Sequence, residues 1–296
     1  MSPRSNRRRP RGPGRRRRSR LKSFKSLWRF VRYRWRDLRR FLRAVNRTPP
    51  VTRFVLSALL LVVAFLSLNW IYHAVHKPTE ILFPLDNALD KGLADTWREY
   101  GDLFREHSTA VVTPDLLAAL AQTEGSGNPV ARTYWRWRWS TNPLEWYQPA
   151  SSAVGMFQIT DGTFQLAKRY CIHDHAVAED GPWHDLNSCW FNGLYSRVLP
   201  SHAIEMTAAL LDRQVALAVG SHPRATPTPA RKQELAAVIH LCGAGAGRDF
   251  VRHGFRLLPH QRCGDHDART YVMKVTLLKQ QFAQLAGGAR TIRAGR

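Results

Sequence analysis

Acidic residues are almost absent from the N-terminal part of this sequence. Residues 1–53 contain one, Asp37, against 21 lysines and arginines, so this segment carries a net charge of +20. The rest of the chain holds 24 basic and 21 acidic residues, for a net charge of +3. The formal charge of +23 therefore belongs to the tail, and the pI of about 11.0 does not make the main domain a nucleic-acid-binding protein.

Charge of either sign is absent from residues 54–72. At about 1.5 Å per residue, a helix of this length spans a hydrocarbon core of roughly 30 Å. A buried core helix is an alternative, although few core helices are apolar on every face. A cleaved signal peptide is another, but its charged region would be far too long and no small-x-small site follows Leu68. We expect a transmembrane signal anchor, with Trp70 and Tyr72 at its exit and the basic N-terminus in the cytoplasm.

Cysteine is also scarce, and none of the four cysteines precedes the predicted span. On the exported side, an even number of cysteines favours two disulfides. Three pairings are possible, and the local one, Cys171–Cys189 with Cys242–Cys263, is favoured over free buried thiols. No C-x-x-C or H-x-x-x-H spacing supports a zinc site, so we expect no metal.

Two segments precede the span. Residues 1–20 are rich in Arg, Pro and Gly and are expected to be disordered. Residues 21–48 repeat apolar side chains at spacings of three and four, which predicts an amphipathic helix. A coiled coil is one interpretation. We prefer a helix on the cytoplasmic membrane surface that binds anionic lipids, because its polar face is cationic; binding of DNA or RNA is less favoured.

Helical periodicity dominates the exported part. Residues 73–108 keep it from Leu85 to Phe104, which predicts a helix that packs on the next domain or forms a stalk. Thr113 as N-cap and Pro114 at the first position predict a helix over 114–124. Further helices are expected near 159–169, 202–219, 231–241 and 267–286.

One stretch of the exported part departs from this pattern. Trp135, Trp137 and Trp139 alternate with Arg136 and Arg138, which predicts an extended segment with a tryptophan face and an arginine face. We therefore expect a mostly α domain over residues 109–288, with one irregular or β-hairpin insertion, followed by a C-terminal tail over 289–296.

Glu124 is the strongest candidate for chemistry. It closes an apolar helical run and is followed at once by glycine-rich sequence, and a second signature occupies residues 153–160. Burial disfavours the charged form of a carboxyl group. A carboxyl group that keeps its proton near neutral pH can act as a general acid.

Four segments together resemble the motifs of the soluble lytic transglycosylase (SLT) family. The segment EGSGNP at 124–129 resembles the family's E-S-x-x-N-P box, and GMFQI at 155–159 resembles its G-L-M-Q-I box. Residues 267–275 resemble its E-T-x-x-Y-V-x-K-V box, and 241–248 occupy the place of its A-Y-N-A-G-x-G-R box. All four occur in the family's order, and the resemblance covers roughly residues 110–286.

The resemblance implies a lysozyme-like α-helical domain that cleaves the MurNAc–GlcNAc β-1,4 bond of peptidoglycan strands without water or a cofactor, leaving 1,6-anhydroMurNAc ends. Glu124 would be the only catalytic acid/base. It would protonate the leaving glycosidic oxygen and then take the proton of the C6 hydroxyl that attacks C1. The substrate's acetamido oxygen would stabilise the oxocarbenium-like centre, a route outside the usual two-carboxylate rule.

The resemblance also implies substrate-binding residues. Gly155 would let the backbone approach a sugar or the Glu124 helix, and Gln158 would hydrogen-bond an acetamido or hydroxyl group. Tyr271 keeps the family's later aromatic position and is expected to contact the Glu124 carboxyl group or the sugar. The other candidates are Ser126, Ser151 and Ser152, with Met156 and Phe157 as an apolar wall or as core.

The sequence departs from the family pattern at several positions. The tyrosine and asparagine that support the catalytic carboxyl group are replaced by Cys242 and Gly243. The small polar residue expected nine positions before Gln158 falls on Pro149, which is why Ser151 or Ser152 would have to substitute for it. The insertion lengthens the stretch between the first two boxes, and its tryptophans, with Trp146 and Tyr147, are candidates for glycan stacking, membrane contact or packing.

The expected location is the inner membrane of a bacterium, with a single pass and the catalytic domain in the periplasm, where an envelope-spanning complex is a further possible partner. A hydrolytic muramidase is one alternative, because downstream carboxylates are available for a two-carboxylate mechanism: Glu145, Asp161, Asp174, Glu179 and Asp180. A degenerate glycan-binding or scaffolding domain is another, motivated by Cys242 and Gly243.

Overall fold

The structure, a computed structural model, describes residues 40, 43, 48–85, 87–182, 184–185 and 188–294. The predicted disordered tail, residues 1–20, lies outside these residues, as does nearly all of the predicted amphipathic helix at 21–48. The chain divides into two compact units, Met1–Leu68 and Asn69–Arg296.

Helix α1, Pro50–His76, contains the predicted span and extends beyond it at both ends. It is long and apolar enough to cross a membrane. Its apolar side chains are exposed, with Phe54 at 75% and Leu61 at 72%, so α1 does not have the buried surface of a core helix.

Residues 78–106 differ from the sequence prediction. Two 3-10 turns, Pro78–Leu85 and Asn87–Leu89, precede helix α2, which covers Leu93–Glu106. A continuous helix from Leu85 is therefore wrong, and Gly92 is the extended N-cap at which the helix begins. Prolines within the first turn remove backbone donors that an α-helix would need.

Five more helices build the second unit, which is mostly α. Helix α3 (Pro114–Gly125) packs against α2 and α7, α5 packs against α6, and α6 packs against α7. Every residue of α3 from Leu116 to Ala121 is exposed by 1% or less, so this helix runs through the core. The other helices are α4 (Asp161–Ala167), α5 (Pro200–Gly220), α6 (Pro229–Arg252) and α7 (Ala268–Ala294).

The described residues also form three small antiparallel sheets of two strands each. Strand β1 (Trp135–Trp137) pairs with β2 (Tyr147–Pro149), which confirms a hairpin in the tryptophan-rich segment. Two further hairpins were not predicted from the sequence: β3 (Tyr170–His173) with β4 (Ala176–Glu179), and β5 (Arg262–Cys263) with β6 (His266–Asp267).

Both predicted disulfides are confirmed. Cys171–Cys189 joins β3 to the turn Trp190–Leu194, and Cys242–Cys263 joins α6 to β5. The second disulfide therefore links α6 to the hairpin that leads directly into α7. Helix α6 carries residues 241–248, which are the third motif along the chain and the one altered at Cys242 and Gly243.

Candidate active site

Glu124 lies in the last turn of α3, and its side chain is 18% exposed. The helix begins where the sequence predicts, with Thr113 extended at the N-cap and Pro114 at the first position. The Thr113 hydroxyl caps no backbone group of its own helix; it accepts a hydrogen bond from Gln233 Nε2 of α6 at 3.2 Å. The start of the Glu124 helix is thus fixed to α6, and its apolar middle buries it in the core.

The glycine-rich sequence after Glu124 ends the helix in a tight turn. Ser126 is left-handed (φ 50°), as is Gly127 (φ 65°), whose amide donates to Ala121 O at 3.1 Å. A Cβ atom on Gly127 would lie 2.3 Å from Thr96 Oγ1. Asn128 is fully buried, donates to Asp90 Oδ1 and accepts from the Val130 amide, both at 2.9 Å. These contacts fix the direction in which the Glu124 side chain leaves the helix.

The second motif packs directly against this turn. A Cβ atom on Gly125 would lie 2.9 Å from Met156 Cα, so the two motifs are in backbone contact. Gly155 has φ 80°, and a Cβ atom there would lie 2.4 Å from Arg197 O and 3.2 Å from Pro129 O. Both positions therefore require glycine for close packing around the end of the Glu124 helix.

The other residues of the second motif hold the loop and fill the core. Gln158 donates through Nε2 to Gly155 O at 2.9 Å and to Ala131 O at 3.1 Å. Met156 and Phe157 are exposed by at most 1%. Their side chains belong to the core beneath the site, which was the second of the two roles considered for them.

Tyr271 lies beside Glu124. It comes from the first turns of α7, and its hydroxyl donates a hydrogen bond to Glu124 Oε1. Burial raises the pKa of Tyr271 well above its ordinary value, and the neighbouring carboxylate raises it further. The phenol therefore keeps its proton and acts as a permanent donor to one oxygen of Glu124.

His240 of α6 is a site residue that the sequence interpretation missed. Its Nε2 lies 3.7 Å from Glu124 Oε1, and its side chain is 12% exposed. Burial lowers the pKa of His240, against the opposing effects of Glu124 and of a hydrogen bond with the backbone of Phe157. A neutral imidazole therefore faces the carboxyl group at neutral pH.

A break in helix α6 follows His240 by three residues. Gly243 has non-helical angles (φ 82°, ψ 170°) inside α6. Cys242, immediately before this break, is bonded to Cys263. Cys242 and Gly243 therefore form a cross-link and a kink close to His240 in the sequence.

The three candidate serines have different surroundings. Ser126 is the residue at the helix end, two positions after Glu124, and its carbonyl oxygen accepts from the Lys91 amide at 2.9 Å. The Ser151 hydroxyl accepts from the Ala153 amide at 3.0 Å, and the Ser152 hydroxyl accepts from the Asp161 amide at 3.1 Å. The Ser151 hydroxyl thus bonds within the loop before the second motif, and the Ser152 hydroxyl bonds to the start of α4 after it. Neither bond reaches Glu124.

A cavity of about 450 Å³ lies beside His240, between α4, α5 and α6. Its polar lining includes Gln158, Thr207 and Gln214, and no aspartate or glutamate of the described residues lines it. The hydroxyl of Thr207 is buried without a hydrogen-bond partner among the described residues. This cavity extends the site away from Glu124 as a neutral surface with polar and apolar parts.

Three of the five downstream carboxylates have partners elsewhere. The Glu145 carboxylate accepts from Ser140 and Asn142, and its pKa is lowered by these two hydrogen bonds. Asp161 pairs with Arg197 at 2.8 Å, and Glu179 pairs with Arg169 and Arg213. Asp174 lies in the turn between β3 and β4, and Asp180 follows β4.

No protein-family model and no curated protein matches this chain. Within the described residues, no group of three or more His, Cys, Asp and Glu side chains is placed to hold a metal ion. The interpretation of the site therefore depends on the four motifs and on the geometry around Glu124.

Proposed function

We propose that this protein is a membrane-anchored lytic transglycosylase of the SLT type, with a lysozyme-like catalytic domain that acts on peptidoglycan glycan strands. The observation that carries the proposal is the environment of Glu124. It is a carboxyl group at the end of a buried helix, with Tyr271 bonded to it and with His240, which lines a neutral cavity, beside it.

The contacts from Tyr271 and His240 give the two carboxyl oxygens of Glu124 different roles. Tyr271 and His240 both approach Oε1. Oε2 is then the atom that carries the proton to the glycosidic oxygen, as the bond from that oxygen to C1 breaks. A phenol that stays protonated keeps Oε1 in place through both proton transfers.

The same carboxylate completes the reaction. The C6 hydroxyl attacks C1 of the same sugar, its proton passes to Glu124, and the acid form is restored with a 1,6-anhydro ring as product. The positive charge that develops near C1 is stabilised by the substrate's acetamido oxygen, so no second protein carboxylate is needed. This agrees with the neutral lining of the cavity and with the partners that hold Glu145, Asp161 and Glu179 elsewhere.

The altered third motif fits an active enzyme. Cys242 lies in a disulfide and Gly243 forms a kink, so neither supports the carboxyl group directly. We infer that His240, from the same segment of α6, together with Tyr271 takes over the support that the family's tyrosine and asparagine give.

The membrane anchor sets the compartment. Helix α1 is long and apolar enough to span a bilayer, and its basic flank favours a cytoplasmic N-terminus. The catalytic domain would then lie in the periplasm of a bacterium. The cationic N-terminal segment would bind anionic lipids on the cytoplasmic side. In the periplasm, the catalytic domain could act together with an envelope-spanning complex.

Digestion of purified sacculi by the full-length protein tests the proposal. Mass spectrometry of the released muropeptides should find 1,6-anhydroMurNAc ends, and Glu124→Gln should release none. Asp161→Asn is the matched control and should keep the wild-type rate, because that carboxylate pairs with Arg197. Reducing MurNAc ends would instead establish a hydrolase.

A degenerate binding domain gives a different result in the same assay. Wild-type protein would then sediment with sacculi and release no muropeptide of either kind. The retained Glu124 and its hydrogen bond to Tyr271 favour the enzyme over this alternative.

A further inference from the structure

The aromatic hairpin, residues 134–147, exposes more aromatic surface than its own packing explains. Tyr134 is 62% exposed, Trp137 66% and Trp139 87%. Large exposed apolar side chains that cluster on one element mark an interaction surface. The arginines between them, Arg136 and Arg138, are exposed as well.

The exposed rings are held in place by neighbours. Trp137 lies on Tyr147 with ring centroids 5.0 Å apart, and Trp139 meets the edge of Trp146 at 5.5 Å. Indole rings next to arginines are the composition that favours the headgroup region of a bilayer, where a ring is partly buried and a cation meets phosphate.

The hairpin is attached to the end of α1. Asn69 is buried and donates through Nδ2 to Leu144 O at 2.7 Å. Asn142 Nδ2 donates to the Tyr72 hydroxyl at 3.4 Å. The His73 ring meets the edge of Trp135 at 5.2 Å.

An ion-pair cluster strengthens this attachment. Glu80 is fully buried and binds Lys77 Nζ at 3.1 Å and Arg132 NH1 at 2.9 Å. Trp135 Nε1 donates to the same carboxylate at 3.0 Å. Because one buried carboxylate holds groups from both segments, the chain that leaves α1 and the first strand of the hairpin form one rigid junction.

The junction fixes the depth of the hairpin relative to a bilayer. The uncharged run of α1 ends at Tyr72, so a spanning α1 places residues 69–72 at the outer interface. The loop residues that bond Asn69 and Tyr72 must then lie within a few ångströms of the headgroups. A glycan strand far from the membrane would not explain why the hairpin is fixed at this depth.

We propose that the aromatic hairpin is a second membrane contact, in which Trp137 and Trp139 enter the headgroup region of the outer leaflet and Arg136 and Arg138 bind lipid phosphates. The proposal rests on the membrane span assigned to α1. This contact would add to the anchoring by α1.

Fluorine NMR of the full-length protein tests this contact. The protein, labelled with fluorotryptophan, is placed in nanodiscs of phosphatidylethanolamine and phosphatidylglycerol, with and without phosphatidylcholine spin-labelled at its headgroup. Trp→Phe variants assign the resonances. We expect the spin label to broaden the signals of Trp137 and Trp139 as strongly as that of Trp70, and that of Trp190, an exposed reference on the turn Trp190–Leu194, less.

The outcomes separate the hairpin from the span. A Trp70 signal that the label leaves sharp would remove the span and the hairpin contact together. A broadened Trp70 signal with sharp Trp137 and Trp139 signals would overturn the hairpin contact alone. Soluble glycan oligomers that shift the Trp137 and Trp139 signals, without broadening by the lipid label, would identify the surface as a glycan site.

Discussion

The hydroxyl of Tyr271 should matter to the reaction through Glu124. Tyr271→Phe keeps the buried ring and removes the donor to Oε1. A hydrogen bond to a charged group contributes about 1.5–3 kcal/mol, so we expect kcat to fall by about ten- to hundredfold. KM should change little, because the hydroxyl acts through its hydrogen bond to Glu124 Oε1. Initial rates of anhydro-muropeptide release measure both constants.

Tyr134→Phe is the control for this substitution. The Tyr134 hydroxyl also donates to a carboxylate, Asp265 Oδ2 at 3.2 Å, but on the exposed surface. Wild-type kinetics are expected for this variant. A Tyr271→Phe enzyme with full kcat would show that the phenol is only a packing residue.

The buried imidazole of His240 predicts a pH dependence of stability. Burial lowers the pKa of His240 below its ordinary 6.5. Below about pH 6.5 the unfolded chain binds a proton at this residue more readily than the native state does. The free energy of unfolding therefore falls as the pH falls, by at most about 1.4 kcal/mol per pH unit. Above that pH, both states are neutral and this contribution is constant. The Tm of the His240→Gln variant should therefore decrease less than the Tm of the wild type between about pH 7 and pH 5.

Thermal unfolding of both proteins across this pH range measures the difference. Other histidines titrate alike in the two proteins, so subtracting one curve from the other isolates His240. Parallel curves would mean that the imidazole is protonated as easily in the native state as in the unfolded chain.

Sequence predicted some of the site residues and missed others for physical reasons. Glu124 and Tyr271 occupy motif positions, so their pairing could be expected before the structure was seen. His240 precedes the altered third motif and has no counterpart in it. Its approach to Glu124 comes from the tertiary packing of α6, which no local sequence pattern contains.

Among the helices and turns, too, the sequence predicts some and misses others. Helix α3 follows from its proline start, apolar middle and glycine end, and the structure confirms those limits. Leu85 and Leu89 begin the predicted helical spacing of apolar residues but lie in the 3-10 turns Pro78–Leu85 and Asn87–Leu89. Periodicity alone could not reveal that prolines interrupt the backbone hydrogen bonds there.

The disulfide Cys242–Cys263 should support catalysis as well as stability. It links α6 beside His240 to the hairpin that leads into α7 and Tyr271. It closes a loop of 21 residues, and loss of such a cross-link costs about 3 kcal/mol. We expect the double Cys→Ala variant to have a lower Tm and, where it is still folded, a lower kcat.

The other disulfide is a matched control. Cys171–Cys189 closes a loop of 18 residues in the β3–β4 region. Its double Cys→Ala variant should lose a similar amount of stability and keep its kcat at temperatures well below its Tm. An equal loss of kcat in both variants would show that neither cross-link acts on the site specifically.

The second compact unit begins at Asn69 and includes helix α2. The sequence leaves two roles open for the helix predicted within residues 73–108, which are packing on the next domain and forming a stalk. Helix α2 contributes Trp97, Tyr100 and Phe104 to the same core as α3. Amphipathic spacing shows that α2 has an apolar face, and only the tertiary structure shows what that face covers.

This arrangement predicts where the chain can be shortened. Burying a large apolar side chain contributes about 1.5–3 kcal/mol, so the three α2 aromatics together contribute roughly 5–9 kcal/mol, comparable to the 5–15 kcal/mol net stability of a typical domain. A chain that begins at residue 109 should therefore fail to fold, while one that begins at residue 69 should unfold cooperatively. Circular dichroism during heating distinguishes them. A cooperative transition in the shorter chain would mean that α2 packs on a domain that is stable without it.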